Sequence, residues 1–475
     1  NLNLHIPVRL THLDPHKMED AYSMLVNIQI YRGLFRFLGN GELKPDLIHN
    51  FEINKERTKY IFHLKKDARF SNGDDITSNN VLHSLARIYF LGSSIGADLD
   101  YITGLQLFKK TKNIDDLGIK VIDDKTFSIT LLHPTNIFIK HLATADCAIL
   151  PIRDFKTTQL PLIFSGPYQI SSTGPDFLEI SKWRKDDFDS KSPPLKIRFF
   201  FTEDSVQSLV DRNQTDWIVF DHISQKTKDQ LKIRGWFHTS GELSLENFLI
   251  INPEYYDLAT RKKLYSIIYP MKLIDKIPLE GLERAYGLIP PIFNGFLTKN
   301  ESDSIWDFTK NSSSVPKELV IEYNSDVEIT TKTAMILSEE LIKNGLKVKL
   351  VPLKAEALLE IMFAKKGHII LGRKGIDYPD SISILNYFKA NVENNYFFTK
   401  SKNLDVLLSK LIQTDEQKEI VQIVKNTQIE ILKEFTIIPL FFGSDSSSLW
   451  SEKFKSIPSF PFGPHMIPFE MAEVN

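Results

Sequence analysis

The sequence predicts an α/β chain that carries an additional mixed α+β domain. Residues 316–380 alternate strand and helix patterns in the order β-α-β-α-β. Residues 46–158 read as short strands grouped around a helix. The composition is that of a globular protein, with 42% apolar and 25% charged residues in 475, a length that suggests about three domains.

In chain order, residues 2–8 read as a strand, followed after Pro15 by a helix over 21–37 with Leu25, Ile28 and Leu34 on its apolar side. Gly39-Asn40-Gly41 marks a turn. Residues 47–53 and 60–64 are extended, and Tyr60, Phe62 and Leu64 alternate with Ile61 and His63. After the Ser71–Asp74 turn, Thr77 or Ser78 caps a helix through Val81, Leu82, Leu85 and Ile88. Residues 119–132 form two strands around an Asp-Asp turn.

In the 316–380 region the strands are 317–323, 346–353 and 368–371, and the helices are 329–343 and 356–364. Met335, Leu337, Leu341 and Ile342 are candidates for the buried stripe of the first helix, and Asn344-Gly345 stops it. The three strands are expected to be parallel, and the wholly apolar third to be central. Ligands of open parallel sheets bind beyond the carboxyl ends of the strands. The segment there is Gly372-Arg373-Lys374-Gly375-Ile376-Asp377-Tyr378-Pro379-Asp380, either a site or a solvated connection.

The charge balance is close to zero, with 58 Lys and Arg against 60 Asp and Glu, so no global field draws the chain to nucleic acid or anionic lipid. Cys147 is the only cysteine, which excludes an internal disulfide and a multi-cysteine metal site, and its apolar neighbours suggest a buried small hydrophobe. No apolar stretch approaches the ~20 residues of a membrane helix. The amino-terminal residues lack a signal-peptide pattern, so the chain is either cytosolic or has lost a leader.

Motifs for chemistry are sparse. No glycine-rich phosphate loop is present. His12 and His16 are four apart, but Pro15 between them disfavours the helix a metal pair needs. Gly92-Ser93-Ser94-Ile95-Gly96 matches the nucleophile-elbow string, which would make Ser94 the nucleophile of an esterase-like hydrolase; a strand would have to precede it, and the pattern there is helical. No catalytic residue, cofactor or metal site is assigned.

An ordered set of segments resembles the dipeptide/oligopeptide-binding family of substrate-binding proteins for ABC importers. It comprises Leu13-Asp14-Pro15-His16, Ile30-Tyr31-Arg32-Gly33-Leu34, residues 41–47, residues 60–74, residues 76–85, Ser165-Gly166-Pro167-Tyr168, Ile289-Pro290-Pro291 and Asp377-Tyr378-Pro379-Asp380. Departures are Arg32 where the family has an acid, Lys374 where a tryptophan is usual, Asn213 at a turn glycine, and a loose helix around Arg261-Lys262-Lys263-Leu264.

The resemblance implies a periplasmic-binding-protein fold of two hinged, interleaved lobes plus the extra domain. The first lobe would comprise residues 1–45, 159–245 and 441–475, the extra domain 46–158, and the second lobe 246–440. It implies a monomeric, non-catalytic transport protein that captures a peptide or similar small solute and hands it to an ABC transporter permease. Its place would be periplasmic or extracytoplasmic, with a removed signal and a lipid anchor as for a lipoprotein. Nickel, haem or other non-peptide ligands, or a sensing role, remain alternatives on this fold. The ligand-binding residues implied are Asp377, Tyr378, Lys374, Arg373, Gly375, Tyr31 and Arg32, with Asp377 taking the ligand's α-ammonium. Arg32, Arg373 and Lys374 either face the ligand, favouring anionic solutes, or point to solvent.

Overall fold

The computed structural model describes residues 1–475 apart from 7, 8, 11, 19, 39, 40, 94, 185–189, 203, 205, 219–224, 240, 278–280, 306–317, 390–394, 445–447, 459–461, 464 and 465; at 97, 98, 206, 207, 225, 227 and 228 it describes backbone only. The chain divides into two units, Asn1–Gly241 with Ser446–Asn475, and Glu242–Asp445. The second unit is thus an insertion in the first.

The first unit contains a seven-stranded sheet in the order Phe237–Thr239, Ser448–Trp450, Trp217–Ile218, Leu2–Ile6, Lys196–Phe201, Phe177–Lys182, Tyr168–Thr173. Leu2–Ile6 runs parallel to Lys196–Phe201 with Leu4 opposite Phe199, and Leu2, Leu4 and Ile6 are buried on the face that alternation predicts. Trp217 and Trp450 stack at 4.9 Å, and Phe469 meets Trp217 edge-on at 5.2 Å.

The first helix is Ala21–Ile30, shorter than the sequence pattern indicates. Asp20 caps it by accepting from the amides of Tyr22 and Ser23. It stops because Tyr31 turns extended, at φ −124°, and Phe35–Phe37 pairs instead with Leu43–Pro45 in a hairpin. Gly166 abuts the stop: its amide donates to the Ile30 carbonyl at 2.8 Å, and a Cβ there would lie 2.5 Å from the Ile30 carbonyl carbon. The Ser-Gly-Pro-Tyr segment therefore needs glycine for close approach of two backbones.

Residues 46–158 belong to the first unit and hold a four-stranded antiparallel sheet, Ile48–Ile53, Lys59–Leu64, Thr126–Thr130, Ile119–Asp123. Tyr60, Phe62 and Leu64 are buried as their alternation predicts. The helix Ser78–Leu91 starts at a Thr77/Asn80 capping box and ends at Gly92 in the left-handed region, φ +70°. Its fully buried Arg87 gives Nη1 to Asp14 at 2.9 Å and Nε to the Thr157 carbonyl at 2.8 Å. Asp14 of the Leu-Asp-Pro-His segment is thus the counter-charge of a buried guanidinium. Cys147 is buried, as its apolar setting predicts.

The second unit is built on a six-stranded mixed sheet, ordered Glu283–Arg284, Ile437–Gly443, Leu245–Ile251, Ile369–Lys374, Glu318–Asn324, Lys347–Leu353. The last three strands are parallel, and Ile369–Lys374 is interior, as the sequence predicts. The intervening helices are Glu328–Lys343 and Ala355–Phe363. The buried stripe of the first is corrected: Leu337 and Leu341 are buried with Ile329, Thr330 and Ala334, whereas Met335 and Ile342 are exposed. Those two are seven residues apart and share a flank that the i, i+3, i+4 stripe leaves out. Gly345 stops the helix with φ +82°.

Candidate functional site

The strand predicted to end at Leu371 continues to Lys374, so Gly372, Arg373 and Lys374 are ladder residues rather than loop. They lie opposite Phe248, Asn247 and Glu246. At Gly372 a Cβ would stand 2.5 Å from the Phe248 ring, which explains the glycine. The loop proper starts at Gly375, at the carboxyl end of an interior parallel strand, where a ligand site is expected.

Two residues fix that loop. Tyr378 is buried, and its carbonyl accepts from the Asp380 amide at 2.7 Å. Asp380 Oδ1 accepts from the amide of Ile382, the first residue of the helix Ile382–Leu385. Asp377 directly precedes these anchors, with its side chain 46% exposed. Its carboxylate accepts from Lys374 Nζ at 3.2 and 3.4 Å and from the Tyr387 hydroxyl. The Lys374 ammonium also lies 3.8 Å from the centre of the Tyr387 ring. Burial, with the Asp377 charge adding to it, pushes the Tyr396 phenol up to about 12. Neither tyrosine is marked by a sequence motif.

Arg373 alternates to the opposite face of the strand from Lys374, and its Nε is buried. Glu246, directly across the ladder from Lys374, is fully buried; burial holds its pKa well above the usual carboxylate range, and Oε1 has no hydrogen-bond partner among the described residues. Nothing in its sequence neighbourhood distinguishes it from a solvated strand glutamate.

In the first unit, Arg32 does not point to solvent, which corrects that alternative for it. It pairs with Asp46 at 3.2 Å and Glu470 at 2.7 Å, and its side chain is 10% exposed. Arg36 also meets Glu470 at 2.7 Å. Two cations and two carboxylates balance, as burial requires. Lys374 is likewise paired, with Asp377.

Tyr31 is buried against Phe164, with ring centres 5.6 Å apart, and desolvation raises its hydroxyl pKa. It lines a cavity of about 640 Å³ whose walls include Leu10, Leu13, Phe164, Phe177 and Phe201. Phe201 ends one of the parallel strands of this sheet, and Leu10 follows shortly after another, so this cavity too lies near the carboxyl ends of parallel strands. Its lining is scattered along the sequence, which hides it from motif reading.

Ser94 lies outside the described residues. The element before it is the helix Ser78–Leu91, not the strand that a nucleophile elbow needs. His16 is fully buried, donates from Nε2 to the Ala148 carbonyl at 3.1 Å, and has its pKa lowered to about 4, mainly by desolvation. Among the described residues no group of three or more His, Cys, Asp or Glu is placed to hold a metal, and no helix is long and apolar enough to cross a membrane.

The family model for bacterial extracellular solute-binding proteins, family 5, middle region, matches residues 42–396. The chain belongs to this family. Family 5 chains are solute-binding proteins of ABC importers that bind peptides or related ligands. The periplasmic oligopeptide-binding protein OppA of Escherichia coli is 24% identical over 90% of this chain and 84% of its own length. A probable deoxycholate-binding periplasmic protein of the same organism, YgiS, is 23% identical over 90% of this chain and 85% of its own. The solved OppA of Burkholderia pseudomallei superposes with a TM-score of 0.81 at 18% identity, covering 100% of this chain and 99% of its own. The fold is that of the OppA-type periplasmic binding proteins, and the resemblance seen in the sequence segments is correct.

Proposed function

We propose that this chain is a non-catalytic extracytoplasmic receptor that captures a peptide or similar small solute and passes it to an ABC importer permease. The observation that carries the reading is the loop Gly375–Asp380: in a family 5 chain, it presents a carboxylate just beyond the carboxyl end of an interior strand, between buried Ile376 and Tyr378. Arg373, Lys374, Gly375, Asp377 and Tyr378 form or support the ligand site contributed by the second unit. Tyr31 supports the contribution of the first, and Arg32 acts there as structure rather than as a contact. In this reading residues 1–45, 159–245 and 441–475 make one lobe, 246–440 the other, and 46–158 an extra domain. Solute held by both lobes is trapped by hinge closure, because it binds the closed state more tightly than the open one.

Native mass spectrometry of gently purified protein tests this. A ladder of short-peptide masses released on denaturation supports peptide capture. A single fixed non-peptide mass replaces the peptide with that solute and leaves the receptor role standing. Catalytic turnover of an ester substrate abolished by a serine-directed probe overturns the receptor reading.

A further inference from the structure

The sequence resemblance implies that Asp377 takes a ligand's ammonium, and here the Lys374 ammonium is bonded to that carboxylate. Recognition of an ammonium group calls for a carboxylate and an aromatic face. Both are here: the Asp377 carboxylate at 3.2 Å and the Tyr387 ring with its centre at 3.8 Å. The cation between them is supplied by the chain itself. The Tyr387 hydroxyl also donates to Asp377, so the carboxylate already takes three hydrogen bonds.

We infer that the internal cation Lys374 makes this a receptor for peptides lacking a free amino terminus. The inference rests on the reading of the Gly375–Asp380 loop as the ligand site. An incoming α-ammonium would meet a carboxylate that is already neutralised and a like charge within a few ångströms. A ligand with a blocked or absent amine meets no such repulsion and can accept a hydrogen bond from Lys374 at the loop. The side chain of Lys374 is 24% exposed, so its ammonium is within reach of solvent-borne groups. The sequence resemblance implies a tryptophan at this position, so the departure alters the chemistry of one contact and leaves the fold intact.

The test uses two pools of tripeptides, identical except that one is N-acetylated. Capture is read by native mass spectrometry, with wild type, Lys374→Met and Lys374→Arg checked for equal thermal midpoints. Wild type is expected to retain the acetylated pool at least about tenfold better, the scale of one unfavourable charge contact. Lys374→Met, which frees Asp377, reverses the preference, and Lys374→Arg, which keeps the cation, preserves it. Preferential uptake of the free-amine pool by wild type overturns the inference and leaves the peptide-receptor reading standing. An unchanged preference in Lys374→Met does the same. Failure of all three proteins to take up either pool overturns the peptide reading itself, and this inference with it.

Discussion

The guanidinium of Arg32 meets the carboxylate of Glu470 at 2.7 Å, joining the start of the chain to its end. Glu470 has no exposed side-chain surface, and Asp46 completes the set on the other side of Arg32 at 3.2 Å. Removing one partner of a buried pair leaves an uncompensated charge, at a cost of about 3–5 kcal/mol. Arg32→Glu, the acidic residue usual for related chains, places a third carboxylate beside Asp46 and Glu470. We expect it to lower the free energy of unfolding by at least ~3 kcal/mol and more than Arg32→Met does. Urea unfolding of the three proteins ranks them; an Arg32→Glu protein as stable as wild type means the network does not hold the fold.

His16 makes stability fall in mild acid. Desolvation, with the Arg87 charge adding to it, lowers its pKa from 6.5 to about 4 against the bond to Ala148 and the charge of Asp14, which raise it. A histidine depressed in the folded state takes up its proton more readily when unfolded. Its contribution is therefore complete above pH 6.5 and is lost as pH falls from there through about 4. The loss is at most about 3 kcal/mol. His16→Gln keeps a donor for Ala148 and should flatten the stability profile between pH 7 and 5. Parallel slopes for mutant and wild type would contradict this.

Glu246 works in the opposite direction. Burial raises its pKa, so the folded chain keeps a proton that the unfolded chain gives up near pH 4.5. The stability it contributes is whole below that pH and declines as pH rises towards the raised folded value. Glu246→Gln removes the titration while keeping the shape. Its thermal midpoint should match wild type near pH 4.5 and exceed it at pH 8. A mutant that loses stability at pH 8 would show that the carboxyl is ionised and paired there.

At Gly166 a methyl group has no room. The nearest atoms to an added Cβ are the Ile30 carbonyl carbon at 2.5 Å and the Tyr31 nitrogen at 2.7 Å, both backbone. Gly166→Ala must push the end of the first helix away, at a cost of ~1–3 kcal/mol. Differential scanning calorimetry should show the lowered midpoint, and Gly73→Ala serves as a control in open space, where only its positive φ of 91° matters.

What could be read from the sequence was what is encoded locally. The capping box at Thr77, the stop at Gly345 and the parallel 318–374 region announce themselves by spacing and by turn chemistry. Asn213 indeed takes the left-handed conformation expected of a glycine substitute, φ 53°. The Phe35–Phe37 strand was hidden because apolar residues fit a helix continuation equally well. Arg373 and Lys374 looked like loop because charge in an interior strand makes sense only beside Asn247 and Glu246, over a hundred residues away in sequence. The pairing of Arg32 is hidden for the same reason: its partner Glu470 comes from the far end. Tyr387 joined the site only when the chain folded back onto Asp377.

The insertion of one unit into the other sets the order in which the molecule can be finished at the ribosome. Strand Ser448–Trp450 fills the gap between Trp217–Ile218 and Phe237–Thr239. Until it emerges, the indole face of Trp217 lacks its Trp450 stacking partner and two strand edges of the first sheet stand open. The inserted unit has all its strands by Gly443. Synthesis therefore completes the middle of the chain before its beginning, and the amino-terminal half waits with an open edge, the state most exposed to mispairing and most in need of a chaperone.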